Sequence, residues 1–193
     1  MCGRYQFTSE GSEDVAWIVR ELEDRPGAKP LSLGEIRPGC KAPVLLSSPA
    51  GLKPELYIWG YRTPKSLVFN ARSETAAEKP MFRDGISGQR CVVPSTGFFE
   101  WDGDKRKYLF TMPNSGVLYM AAIYAVRGGI PCYCILTTQA NSSMRAVHDR
   151  MPLVLEKGQL EEWMDDPQAA DHFLKMTPPL LEKRSLEDQF SLW

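Results

Sequence analysis

Between Val44 and Leu155 the chain is a succession of short β-branched or aromatic runs: "VLLS", "ELYIWGY", "LVFNA", "RCVVP", "GFFEW", "YLFTM", "VLYMAAIYAV" and "PCYCILTT". Turn-forming stretches, "DGDK", "PNSG" and "RGG", separate several of them. Runs of this length bounded by Gly, Asn, Asp and Pro predict a strand meander, and so many short strands make a sheet that twists and curls. The expected fold class is α+β, with residues 1–193 forming a single domain. Its centre is a curved, partly closed, mainly antiparallel and barrel-like sheet flanked by helices.

The helices are placed by apolar periodicity. Val15, Ile18, Val19 and Leu22 recur at spacings of three and four, and Ser12 is a suitable cap, which predicts a helix over Ser12–Asp24. "SETAAEK" predicts a second helix, and "EKGQLEEWMDD" and "QAADHFLKM" predict two more near the end. The stretch "RPGAKPLSLGEIRPGCKAP" has Pro and Gly at both ends and no clean period, so it reads as a long surface loop.

Composition excludes several classes. A hydrophobic fraction of 43% with 24% charged residues suits a globular protein. No apolar run approaches the roughly 20 residues that span a bilayer, so no membrane role is expected. The N-terminus has neither a secretory nor a transit pattern, and a cytoplasmic location is expected. The net charge of −1 gives no global attraction to nucleic acid, though a local basic patch remains compatible with it. Cys2, Cys40, Cys91, Cys132 and Cys134 are scattered without zinc-type spacing and only two histidines accompany them, so reduced thiols, no metal and no cofactor are expected. The pair in "CYC" at 132–134 reads as a packed strand face, and His172 as an ordinary surface histidine.

Cys2 is out of place as a packing residue, because chain ends are frayed and wet. Removal of Met1 would give it a free α-amine beside its thiol, with reference pKa values of about 7.7–8.0 and about 8.5. Such a 1,2-aminothiol has two uses. The thiolate can attack an acyl carbon with the amine as base, as in N-terminal nucleophile hydrolases. Alternatively, the amine can condense with an aldehyde to an imine that the thiol closes into a thiazolidine. A buried, inert thiol is the third option.

Four stretches set polar residues among apolar strands: "CGRY" at 2–5, "FNARSET" at 69–75, "RCVVPSTGFFEW" at 90–101 and "AVHDRMPLVL" at 146–155. In order and spacing they closely resemble the SRAP family, SOS-response-associated proteins that shield abasic sites in single-stranded DNA. The resemblance implies that Cys2 bonds covalently to the ring-opened aldehyde of an abasic deoxyribose. It carries catalytic roles to Asn70, Glu100 and His148. It also places Trp101 against the DNA, and Pro38 and Thr137 along the DNA groove. The chain departs from the family pattern in lacking an Asn before Ala42-Pro43 and in a short segment after Trp59-Gly60, both of which bear on groove shape.

The residues fit these roles chemically. Opening the sugar hemiacetal needs a proton given to the ring oxygen and one taken from the hydroxyl. Glu100, flanked by Phe98, Phe99 and Trp101, would be partly desolvated and suited to that exchange, although strand alternation equally permits an outward-facing acid. His148, just before "DRMPLVL", is expected at the end of a short helix, either shuttling a proton or capping the helix. Asn70 offers a donor and an acceptor for holding the amine and the sugar oxygen in register, or for holding a strand end. Arg4, Arg72 and Arg150 can fork onto phosphates, while Arg150 can instead pair with Asp149 or Glu74. Trp101 offers a base-stacking face, or a core filler. The expected partner is single-stranded DNA containing abasic sites, bound by a monomer, with lyase cleavage as a side reaction. An amidohydrolase or peptidase built on Cys2, and a non-catalytic single-strand binder, are the alternatives.

Overall fold

A computed structural model describes residues 3–9, 12–113 and 116–186. In chain order the strands are β1 (Arg4–Phe7), β2 (Gly34–Ile36), β3 (Lys41–Ser48), β4 (Gly51–Trp59), β5 (Tyr61–Arg62), β6 (Leu67–Val68), β7 (Asn70–Arg72), β8 (Arg90–Ser95), β9 (Gly97–Trp101), β10 (Lys107–Thr111), β11 (Leu118–Arg127), β12 (Ile130–Gln139), β13 (Arg150–Pro152), β14 (Val154–Leu155) and β15 (Glu182–Ser185). The helices are α1 (Glu13–Glu23), α2 (Ser73–Ala76), α3 (Arg83–Gly88), α4 (Leu160–Asp165) and α5 (Ala169–Lys175), with a 3₁₀ turn at Lys157–Gln159.

The α+β class and the closed sheet are as expected. Strands β12, β4, β3, β8 and β11 follow one another by hydrogen bonding, and β11 pairs with β12 again, so five strands close into a barrel. Every strand pair is antiparallel except β12–β4 and β12–β7. A second sheet, in the order β15-β10-β9-β1-β2, lies outside the barrel. One continuous apolar core joins the two: Tyr5, Phe98 and Phe110 from the outer sheet are as fully buried as Trp59, Tyr133 and Ile135 from the barrel. Closing the barrel removes its edges, and the outer sheet covers one of its sides.

Local chemistry explains the elements. Helix α1 starts where Ser12 accepts the Val15 N–H at 3.3 Å, and acidic Glu13 and Asp14 occupy its first turn. Val15, Ile18 and Leu22 then face inward. Gly60, at φ +112°, lets the chain leave β4 in a conformation that side chains resist.

Three sequence expectations need correction. The supposed loop from Arg25 contains β2, and β3 begins within it at Lys41. β2 exists because Tyr5, Gln6 and Phe7 pair with Ile36, Glu35 and Gly34, a partner distant in sequence and invisible to local patterning. "SETAAEK" gives only the four-residue α2, and the unforeseen α3 follows it, held where Gly85 approaches Ile123. Finally, residues 142–147 form turns rather than a helix ahead of His148. "CYC" is a packed face as expected, with Cys132 and Cys134 both buried.

Candidate functional site

Glu100 is 5% exposed near the end of β9, and its Oε1 accepts the Trp101 N–H at 3.4 Å. It faces inward, because the aromatic strand around it buries every residue from Gly97 to Glu100. Arg4 pairs with Phe99, so β1 begins one residue short of Glu100. Two further contacts carry β1 toward Asn70. The Tyr5 ring lies 5.1 Å from that of Trp59, and the Trp59 indole N–H donates to the Phe69 carbonyl at 2.8 Å. Asn70 is the next residue, opening β7 beside Ile135 of β12. Asn70 Oδ1 and Glu100 Oε2 are both shielded from solvent. β1 is thus linked to the Glu100 strand by direct pairing and to the Asn70 strand through Tyr5, Trp59 and Phe69. Cys2 itself lies outside the described residues.

His148 stands across β12. That strand pairs with β7 through Thr137 and Arg72, and with β13 through Thr137 and Pro152, so β12 separates Asn70 from His148. The His148 Nδ1 accepts the Arg150 backbone N–H at 2.9 Å and also lies 2.9 Å from Asp149 Oδ1. One nitrogen cannot accept from the amide and donate to the carboxylate at the same time. The amide is fixed by β13, whereas the Asp149 side chain is 88% exposed and able to swing, so the amide bond decides the tautomer. Neutral His148 carries its proton on Nε2.

Arg150 forks onto Glu74, Nη1 to Oε1 at 2.5 Å and Nη2 to Oε2 at 2.9 Å, and Nη2 also donates to the Thr137 carbonyl at 2.6 Å. Of the two acids considered for Arg150, the structure selects Glu74. Thr137 is fully buried beneath this pair, with its hydroxyl donating to Ala71, so it does not present a surface to a groove. Arg72 is exposed, and with Gln139, Ala140, Arg145, Asp149 and Arg150 it lines a cavity of about 560 Å³. Arg145 was not expected there; only the turn ahead of His148 brings it in. Pro38 is half-buried in the turn after β2.

Around Trp101 the outer sheet builds a second charged cluster that the motifs did not reveal. Glu35 accepts from Arg4 Nη1 at 3.0 Å, Arg37 Nε at 3.0 Å and Lys107 Nζ at 2.8 Å. Burial works to raise the Glu35 pKa, but the hydrogen bonds from Lys107 and Arg37 and the charges of Lys107 and Arg4 outweigh it and hold the carboxyl below its ordinary range. The Arg4 guanidinium and the Lys107 ammonium lie 5.3 and 5.5 Å from the half-buried Trp101 ring.

The remaining thiols are poor nucleophiles where they are buried: burial pushes Cys91, Cys132 and Cys134 above the ordinary value. Among the described residues, no group of three or more His, Cys, Asp or Glu converges as a metal site. No described helix is long and apolar enough to cross a membrane.

Known proteins resemble this chain in sequence and in fold. The chain is similar to the abasic site processing protein YedK of Escherichia coli, with 32% identity over 176 residues that cover 85% of this chain and 79% of YedK. It is also similar to the abasic site processing protein YoaM of Bacillus subtilis, with 32% identity over 117 residues. That match covers 56% of this chain, and it spans about half (52%) of YoaM. A crystal structure of a Bordetella bronchiseptica protein superimposes with a TM-score of 0.77 at 20% identity, covering 96% of this chain and 99% of that one. One from Bacteroides thetaiotaomicron gives 0.76 at 22%, covering 98% and 94%, and both likenesses speak to the fold. The family profile described as SOS response associated peptidase (SRAP) matches residues 1–188, so the chain belongs to the SRAP family.

Proposed function

We propose that this protein processes abasic sites in single-stranded DNA by forming a thiazolidine between Cys2 and the ring-opened sugar. The relatives named as abasic site processing proteins support the substrate class. The observation that carries the chemistry is the buried Glu100 carboxyl, one residue beyond the Arg4–Phe99 pair at which β1 begins. Cys2 precedes Arg4 by two peptide units, which span at most about 7 Å, so the chain chemistry ties it to the start of β1.

The proposed sequence is balanced without a cofactor. Glu100 gives a proton to the ring oxygen and its carboxylate takes the proton of the C1 hydroxyl, so the hemiacetal opens to an aldehyde and the carboxyl is restored. The Cys2 amine, released by removal of Met1, adds to the carbonyl carbon, and loss of water leaves an imine. The thiol sulfur then bonds to the imine carbon, its proton passes to nitrogen, and the five-membered ring is complete. Asn70 holds the amine and the sugar oxygen in register, and the Nε2–H of His148 serves the sugar hydroxyl. The imine also permits β-elimination, so slow strand cleavage accompanies adduct formation until ring closure suppresses it. Glu100 assists the reverse reaction by the same proton transfers. Arg4, Arg72 and Arg150 meet phosphates, Trp101 stacks on a base, Pro38 borders the groove, and Thr137 contributes by seating Arg150.

The test mixes Met-trimmed protein, acting as a monomer, with a single-stranded oligonucleotide carrying one abasic site. A denaturing gel and intact mass should show one heat-stable adduct, equal to protein plus oligonucleotide less one water. Cys2→Ala should abolish it and Glu100→Gln should slow it. Absence of the adduct with wild type, or its persistence in Cys2→Ala, overturns the mechanism.

A further inference from the structure

The Glu35 cluster has the composition of an occupied anion site. One carboxylate receives three cationic side chains from different parts of the outer sheet: Arg4 of β1, Arg37 just after β2 and Lys107 of β10. In these contacts a single carboxylate is shared among three cationic donors. The only acids on the adjoining 102–106 turn are engaged there: Asp102 accepts from the Arg106 amide and the Tyr108 hydroxyl, and Asp104 accepts from the Arg106 guanidinium. The cations remain accessible, with side-chain exposures of 37% for Arg4, 61% for Arg37 and 29% for Lys107. Aromatic rings floor the cluster, since Lys107 Nζ lies 4.0 Å from the Phe99 ring centre and both Lys107 and Arg4 lie over Trp101.

A carboxylate and a phosphodiester offer these donors the same thing: one negative charge spread over two oxygens. A strand of DNA laid beside Trp101 can therefore replace the acid without rebuilding the site. We propose that Glu35 is an internal stand-in for a backbone phosphate, holding Arg4, Arg37 and Lys107 ready on one face and yielding them to single-stranded DNA. The proposal rests on the DNA-processing reading above and adds Arg37 and Lys107 to the residues that grip the strand. The platform abuts the start of β1, so a phosphate held there flanks the sugar offered to Cys2. Keeping the cations paired in the free protein prevents their mutual repulsion from dispersing them, at the cost of competition with the phosphate.

The test uses equilibrium binding of an undamaged single-stranded oligonucleotide, which has no aldehyde, across a series of salt concentrations. Lys107→Ala and Arg37→Ala should each weaken binding several-fold and make the slope of log K against log salt shallower by about 0.7. Lys107→Arg should restore both. Glu35→Gln should bind several-fold tighter than wild type, because the competing charge is gone. Lys157→Ala, which removes a cation paired with Asp14 near α1, should change neither quantity. Unchanged slopes in Lys107→Ala and Arg37→Ala, or unchanged or weaker binding in Glu35→Gln, overturn the proposal. Adduct formation by the same variants on an abasic oligonucleotide is scored separately: loss of the adduct with an intact salt series counts against the Cys2 chemistry, not the platform.

Discussion

The Tyr5 hydroxyl lies 2.7 Å from the Tyr133 hydroxyl in the protein interior, and this contact fastens β1 of the outer sheet to β12 of the barrel. Both residues are fully buried, and burial together with the Tyr5 neighbour pushes the Tyr133 pKa well above its ordinary value, so Tyr133 stays protonated. Tyr5→Phe removes one hydroxyl and strips the buried Tyr133 oxygen of this partner, which should cost about 1–3 kcal/mol. Tyr5→Phe combined with Tyr133→Phe should cost less than the sum of the single changes by about 1 kcal/mol, because each single change loses the same bond. Urea denaturation of the four proteins measures the difference. Strict additivity would show that the bond contributes nothing.

The sequence made α1 legible because its cap, acidic first turn and 3.6-residue period all agree. It concealed β2 and β15, the edge strands of the outer sheet: "GEI" and "EKRS" have no apolar alternation, and their pairing energy comes from β1 and β10 far along the chain. It concealed α3 for a similar reason, since "RDGISG" is glycine-rich and becomes helical through packing on β11. At the site, Asn70, Glu100 and His148 stood out as polar residues in apolar strands, and Glu100 is indeed buried. Glu35, Arg37 and Lys107 had no such contrast. Each looks like an ordinary surface charge until the outer sheet curls and brings Lys107 of β10 to Glu35 of β2.

The Glu74–Arg150 pair should appear in the acid limb of stability. Arg150's hydrogen bonds hold the Glu74 carboxyl below its ordinary pKa, burial opposes them, and the charges of Arg150 and Arg72 assist. A carboxyl with a depressed folded pKa contributes stability that is complete above its unfolded value of about 4.3 and is lost as pH falls through the lower folded value. Glu74 is 40% exposed, so solvent screening keeps the contribution below about 1 kcal/mol. Glu74→Gln should therefore be slightly less stable than wild type near neutral pH, and the gap should close below about pH 4. Urea midpoints across that range read it directly, and a gap that widens on acidification contradicts the pairing.

Gly97 opens β9, the strand of the outer sheet that carries Glu100. A Cβ there would meet Leu109 Cδ1 at 2.7 Å and the Phe110 carbonyl oxygen at 2.9 Å. The leucine tip can move, but the carbonyl belongs to the β9–β10 ladder, in which Phe110 pairs with Phe98. Gly97→Ala should cost about 1–3 kcal/mol and displace β9. Thermal unfolding measures the first effect, and a slower abasic-site adduct at a temperature where the variant remains folded measures the second. Wild-type values of both would show that β9 accommodates the methyl.

Arg90 is the most heavily engaged side chain away from the site. It is 4% exposed, and its guanidinium donates to the carbonyls of Trp163, Met164 and Asp166 on one side and Ile86 and Ser87 on the other. Trp163 and Met164 lie in the last turn of α4, with Asp166 just past it, and Ile86 and Ser87 lie in the last turn of α3, where carbonyls lack intrahelical donors. The same guanidinium lies 5.6 Å from the Trp163 ring centre, whose N–H in turn donates to Cys91 of β8. Arg90 thereby ties two short helices, neither long enough to persist alone, to a barrel strand. Arg90→Met keeps most of the volume but removes the guanidinium donors from these carbonyls, of which, among the described residues, only Asp166 keeps another in the Ala169 N–H, and should cost about 3 kcal/mol or more. Arg90→Lys should recover only part of that, because an ammonium cannot present the planar fork that spans both helix ends. Hydrogen exchange should place the loss in α3 and α4, leaving the closed barrel strands protected; uniform deprotection would instead make Arg90 part of the global core.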